Sequence, residues 1–191
     1  VADTKMVKST GEHWVCSMMS RLGWGVALTR DGLERTDILA VDPNAAPRRL
    51  IEVQVKTASG NGENTNWPLG LKSQTRALSD AEWFVFVILN DAPANTRCFV
   101  VPRDHVAAAT WISHTSWLTD PDAVPGKRNT PIKNARVYRW VFEGYEDRWD
   151  LLEAPADKAP VLLPAEFREY ALDARVGLPH DHPWNDRLPD W

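Results

Sequence analysis

Glu52, Gln54 and Lys56 stand two apart in the run Leu50–Thr57, which is rich in β-branched residues and reads as a strand. Side chains alternate across a strand, so these three share one face while Ile51, Val53 and Val55 share the other. A central strand of an α/β sheet is expected to be apolar on both faces. A carboxylate, an amide and an ammonium in succession therefore face water at a sheet edge or line a polar site, because burying them unpaired is costly. Asp37 opens the preceding strand-like run, Thr36–Val41. A hairpin through Asp42–Arg48 would bring its carboxylate near the Gln54–Lys56 end. Oxygen donors beside a lysine suit a hard divalent cation that also binds phosphate oxygens. Such an ion would polarise a phosphodiester and activate a water, with Lys56 orienting that water or stabilising the developing charge.

Glu12 fits the same chemistry. It shares a helical stripe with Val15, Met19 and Leu22, so it is expected to point inward, where it would reach the metal directly or through water. Ser9-Thr10-Gly11-Glu12 also reads as a capping box, with Glu12 satisfying the helix N-terminus. The two roles are compatible.

These residues need a frame to hold them. Residues 1–9 read as a loose arm and Thr10–Leu22 as a helix, ended by Gly23 in a positive-φ conformation. Trp24–Thr29 is the first expected strand, with a turn at Arg30-Asp31-Gly32, and Asp42-Pro43-Asn44 closes the second. After the polar loop Ser59–Asn64 come a helix over Ser73–Asp80, a buried strand over Trp83–Leu89, a strand over Arg97–Val101 and a helix over Asp104–Leu118. The order αβββαββα predicts an α/β domain with a mixed sheet flanked by helices over residues 1–118. Residues 119–191 read as a C-terminal extension: a loop to Asn134, a strand over Val137–Phe142, a short helix near Asp147–Leu152, then recurring prolines and an extended tail from Pro179 to Trp191.

Composition agrees with a globular chain. The 191 residues are 43% hydrophobic, enough for a core without disulfides, and Cys16 and Cys98 read as buried free thiols. The longest apolar run, Trp83–Leu89, is too short to span a bilayer and Val1–Lys5 carries no signal-peptide pattern, so a cytoplasmic protein is expected. A net charge of -4 argues against non-specific coating of nucleic acid but not against a local basic rim. Lys72 and Arg76 are candidate phosphate contacts beside the site, or a solvated face. Lys127, Arg128, Lys133, Arg136 and Arg139 form the sustained basic segment, a DNA-contacting stretch or simply exposed charge. His180 and His182 lack a third metal ligand, and His105 and His114 read as structural.

The stretches Gly11-Glu12, Thr36–Leu39 and Ile51–Thr57, followed by Ala77–Val87, resemble the PD-(D/E)XK nuclease superfamily, the restriction-endonuclease-like fold, over roughly residues 8–102. The resemblance implies that Asp37 and Gln54 hold the metal, that Lys56 is the catalytic lysine and that Glu12 assists. Gln54 stands where an acid is commoner; its neutral amide is a weaker ligand, and Glu52, on the same face, would supply the missing charge. The implied activity is Mg2+-dependent hydrolysis of double-stranded DNA, as in restriction or genome defence. Cutting both strands needs two sites, so a homodimer is compatible. The alternative is a nuclease-fold module without catalysis that binds DNA or a protein partner.

Overall fold

The computed structural model describes residues 3–30, 33–60 and 62–191. Asp31 and Gly32 of the expected first turn, Asn61 of the polar loop, and Val1 and Ala2 of the expected arm lie outside the described residues. Five strands form one mixed sheet in the order β1 (Gly25–Leu28), β2 (Ile38–Asp42), β3 (Arg49–Ser59), β5 (Glu82–Leu89), β6 (Arg97–Pro102). β1, β2 and β3 run antiparallel as a meander, β3 and β5 are parallel, and β6 returns antiparallel. A two-stranded ribbon stands apart from it, β4 (Asn66–Pro68) against β7 (Arg136–Tyr138). The expected α/β class, a mixed sheet with helices on it, is the observed one.

Helix α1 (Thr4–Arg21) covers one face of the sheet and α2 (Arg103–Leu118) the other. The alternation of β3 explains the division. Val53 and Val55 are buried with Val15 and Met19 of α1 in the core, whereas Gln54 meets Arg103 of α2. The Gln54 face continues across β5 in register, as Gln54 pairs with Phe84 and Lys56 with Phe86. Phe86 packs against Trp67 at 4.9 Å and Phe142 at 4.6 Å, so β4 and the 3-10 stretch Arg139–Tyr145 close that face. Both cysteines are free, Cys98 buried and Cys16 half-buried.

Four local expectations are corrected. The helix α1 starts at Thr4, not Thr10, because Asp3 caps it and accepts the Lys5 N–H at 2.9 Å. The expected arm is therefore helical from Thr4, and Thr10 sits in the helix interior, its hydroxyl donating to Met6 O, so no capping box forms at Ser9–Glu12. No α-helix covers Ser73–Asp80; a 3-10 turn, Leu71–Ser73, leads into irregular chain. Its backbone groups are taken by other elements: Arg35 donates to Arg76 O, and the Ala77 and Leu78 N–H groups go to the carboxylates of Asp104 and Glu82. β7 stops at Tyr138 because its partner β4 is only three residues long, and the 3-10 stretch replaces the expected strand. The tail is folded back rather than extended: buried His182 donates to Asp104 O at 2.9 Å, and Trp191 Nε1 donates to Leu163 O. A third helix, α3 (Glu166–Leu172), was not expected; it buries only Phe167 and has too few turns to show a period. Among the described residues no helix is long and apolar enough to cross a membrane.

Candidate functional site at the end of the central strand

β2 begins at Ile38 while β3 runs on to Ser59, so beyond Val53 the β2 side of β3 loses its ladder partner. Asp37 fills that gap. Its N–H donates to Val53 O at 2.9 Å, and its Oδ2 accepts the Val55 N–H at 2.8 Å. The side chain that extends the ladder also leaves Oδ1 turned outward, 3.6 Å from Lys8 Nζ. The same ammonium lies 3.2 Å from Glu12 Oε1. One cation thus bridges two carboxylates that are 25 residues apart in the sequence.

Glu12 reaches this corner because α1 lies hard against β3. A Cβ built on Gly11 would stand 1.9 Å from Thr57 Oγ1, so only glycine permits this approach. Val15 and Met19 anchor the same helix in the core, although Leu22, expected on that stripe, is half-exposed. A cavity of about 70 Å3 opens at the corner, lined by Lys8, Glu12, Thr36 and Asp37 among others. Lys56 is half-buried, one residue along β3 from the Val55 that Asp37 binds. Burial pushes its ammonium below the ordinary lysine range; the Asp37 charge opposes that shift, and Lys8 and Arg103 add to it.

Gln54 and Glu52 are engaged differently. Gln54 Oε1 accepts from Arg103 Nη2 at 2.9 Å, and Glu52 Oε2 accepts from the Thr36 hydroxyl at 2.6 Å. Arg103 is the centre of a closed network. Its Nε lies 2.6 Å from Glu82 Oε2, which also takes Arg35 at 2.7 Å, and its guanidinium sits 4.7 Å from the Phe84 ring centroid. Burial pushes Arg103 down to about 10, which leaves it charged at neutral pH. The sequence-predicted residues Glu12, Asp37, Glu52, Gln54 and Lys56 therefore lie about the middle of β3, where β2 begins. Asp37 and Glu12 meet there at a cation, while Gln54 and Glu52 turn to Arg103 and Thr36.

The donor set suits a hard cation. Two carboxylates converge on a single positive charge, and Mg2+ is commonly held by one or two carboxylates with water and substrate phosphates completing its shell. Lys8 Nζ is the cation that the two carboxylates hold in this structure. Among the described residues no group of three His, Cys, Asp or Glu side chains is placed to hold a metal. His182 uses both ring nitrogens, towards Asp104 O and the Trp184 N–H, and serves the tail.

Sequence reasoning missed Lys8 and Arg103. The first carried a signal, since Lys8 and Glu12 are an i,i+4 pair once the helix is started early enough. The second carried none, because an arginine after Pro102 looks like any exposed helix-start charge. Of the basic candidates, Lys72 pairs with Glu34, Arg76 is exposed, Arg128 pairs with Asp120 at 2.8 Å, and Lys127 is exposed. Lys133 is exposed, Arg136 donates to Asn66 Oδ1, and Arg139 pairs with Glu143. Buried His105 accepts the Tyr145 hydroxyl and is pushed down to about 3 by burial, and buried His114 faces Thr130 O through Nε2.

No family model matches this sequence, and no curated protein matches it. Among solved structures, a bacterial homing endonuclease has a similar fold, with a TM-score of 0.51 and 14% identity, over 84% of this chain and 100% of that one.

Proposed function

We propose that this protein is a divalent-metal-dependent endonuclease of the PD-(D/E)XK type that hydrolyses phosphodiester bonds of double-stranded DNA. The observation that carries this reading is the convergence of Asp37 and Glu12 on one cation beside the part of β3 that bears Lys56. The fold it shares with a homing endonuclease supports the same reading. Asp37 and Glu12 would hold Mg2+ or Mn2+ in place of the Lys8 ammonium, and the ion would supply polarisation of the phosphodiester and an acidified water. Asp37 is fixed for this by the Val55 N–H. Lys56 stabilises the charge that builds on the phosphate, and Arg103 holds the Gln54 amide rigid beside it. Glu52, one step along the same face, keeps the local charge negative. Lys72, Arg76, Lys127 and Arg128 serve as phosphate contacts, and cutting both strands calls for two copies of the chain, in a restriction or genome-defence setting.

Cleavage of supercoiled plasmid with Mg2+ or Mn2+ tests the assignment. Lys56→Ala and Asp37→Ala should each slow cutting by about 10²-fold or more, the scale of one lost charge-stabilising group. Equal cutting by the wild type and both variants would remove the site. One observation favours a second reading, a non-catalytic nuclease-fold module that binds DNA or a protein partner: the Gln54 oxygen is already bonded to Arg103. Calorimetric titration with Mn2+ separates the two, since DNA binding without any metal binding belongs to the module.

A further inference from the structure

A second concavity lies away from the Asp37 corner, between the C-terminal half of α2, the β4–β7 ribbon and α3. Its volume is about 580 Å3, within the range of small-molecule sites. Three of its lining side chains are large aromatics left open to solvent: Trp117 is 41% exposed, Tyr138 42% and Trp140 45%. Two of them already rest on a neighbour. Trp140 meets Phe167 edge-on at 5.9 Å, and the Arg128 guanidinium lies 5.4 Å from the Trp117 ring. Tyr138 projects from the ribbon on the same side as Arg136, two residues earlier.

The groove is also well supplied with polar groups, including His114, Thr130 and Arg136. Among the described residues Glu166 is the one carboxylate in the lining, beside the amide of Asn134. Ser113 Oγ is buried there and has no hydrogen-bond partner among the described residues. Buried hydroxyls are normally satisfied, so this one points to a missing partner. Arg136 lines the groove, and the exposed Lys133 and Lys127 belong to the same basic segment. Solvent-exposed aromatic side chains, an acceptor carboxylate, an amide and the Arg136 cation match the needs of a nucleobase with its phosphate. The ring stacks, the edge takes hydrogen bonds, and the backbone meets positive charge.

We propose that the groove between Trp117, Tyr138 and Trp140 receives an unpaired nucleobase of the DNA. The proposal rests on the nuclease reading for its substrate, but not for the capture of the base. The protein thereby favours DNA that has a single-stranded or unstacked position.

The test uses the full chain in EDTA, so that binding is read without cutting. A short single-stranded oligonucleotide carrying 5-iodouracil is titrated by fluorescence anisotropy and then photo-crosslinked, beside a fully paired duplex of the same sequence. Trp140→Ala and Tyr138→Ala, each checked by circular dichroism, should weaken single-strand binding by about ten-fold, the scale of one lost base–aromatic stack, and leave duplex binding little changed. The photo-adduct should map to Trp117, Tyr138 or Trp140. Unchanged affinity in both folded variants, or adducts only elsewhere, overturns the proposal even if the wild type cleaves plasmid. Stacking in the groove by a protein that never cleaves DNA supports base capture and overturns the nuclease reading instead.

Discussion

On one side of β3 the charges are shut in, and where β2 begins beside it they are open. Arg103 is 1% exposed and Glu82 7%, and they are held by each other and by Arg35, Gln54, Phe84 and the Leu78 N–H. At the Asp37 corner the same ingredients are looser: Lys8 keeps 55% of its side chain in solvent, and its contacts to Glu12 and Asp37 are 3.2 and 3.6 Å. The closed network is buried away from solvent that could exchange its partners. The Lys8 pairs of the open corner contribute little to stability, because that ammonium is half in water. The contrast sets a structural network beside the corner proposed for chemistry.

Substitutions can break this contrast. The largest effect is expected at Arg103→Met, which takes one of two guanidinium partners from the buried Glu82 and frees Gln54. Urea denaturation should show a loss of about 3 kcal/mol or more, the usual result of removing one partner of a buried pair. A loss below about 1 kcal/mol would make the network no more structural than the corner. Next comes Gly11→Ala, whose methyl would overlap Thr57. Destabilisation of about 1–3 kcal/mol is expected, with divalent-ion affinity falling as α1 carries Glu12 away from Asp37. Full stability and unchanged Mn2+ titration would show that the helix has room to shift. The smallest change in stability, under about 1 kcal/mol, belongs to Lys8→Met, because that ammonium is largely exposed. Its signature lies elsewhere: calorimetry should show tighter Mn2+ binding once the resident cation is gone. Weaker binding would mean that Lys8 supports the ion rather than standing in for it.

The central strand was legible because its polar residues break a rule at regular spacing, Glu52, Gln54 and Lys56 against Ile51, Val53 and Val55. Asp37 was legible because a short hairpin leaves few places for it. What β3 touches across the sheet was not, since Arg103 meets Gln54 from 49 residues away and no local pattern records that contact. The same holds for the segment at Ser73–Asp80. Its composition suits a helix, but the side chains of Arg35, Asp104 and Glu82 claim its backbone. The start of α1 was missed for a smaller reason, a cap at Asp3 in a stretch with no apolar period. The tail was misread because prolines signal extended chain but say nothing of burial. His182, Trp184 and Trp191 then pack it down, with Trp184 against His105 at 5.1 Å and against Trp191 at 5.4 Å.

The tie between Asp37 and Val55 has a kinetic consequence as well. It closes a loop of 18 residues, whereas the tie between Arg103 and Gln54 spans 49 and depends on the parallel pairing of β3 with β5. Short loops close at lower entropic cost, and parallel pairings form slowly. The meander that carries the acidic corner is therefore set to assemble first, and the lock that rigidifies its amide arrives with the second half of the sheet.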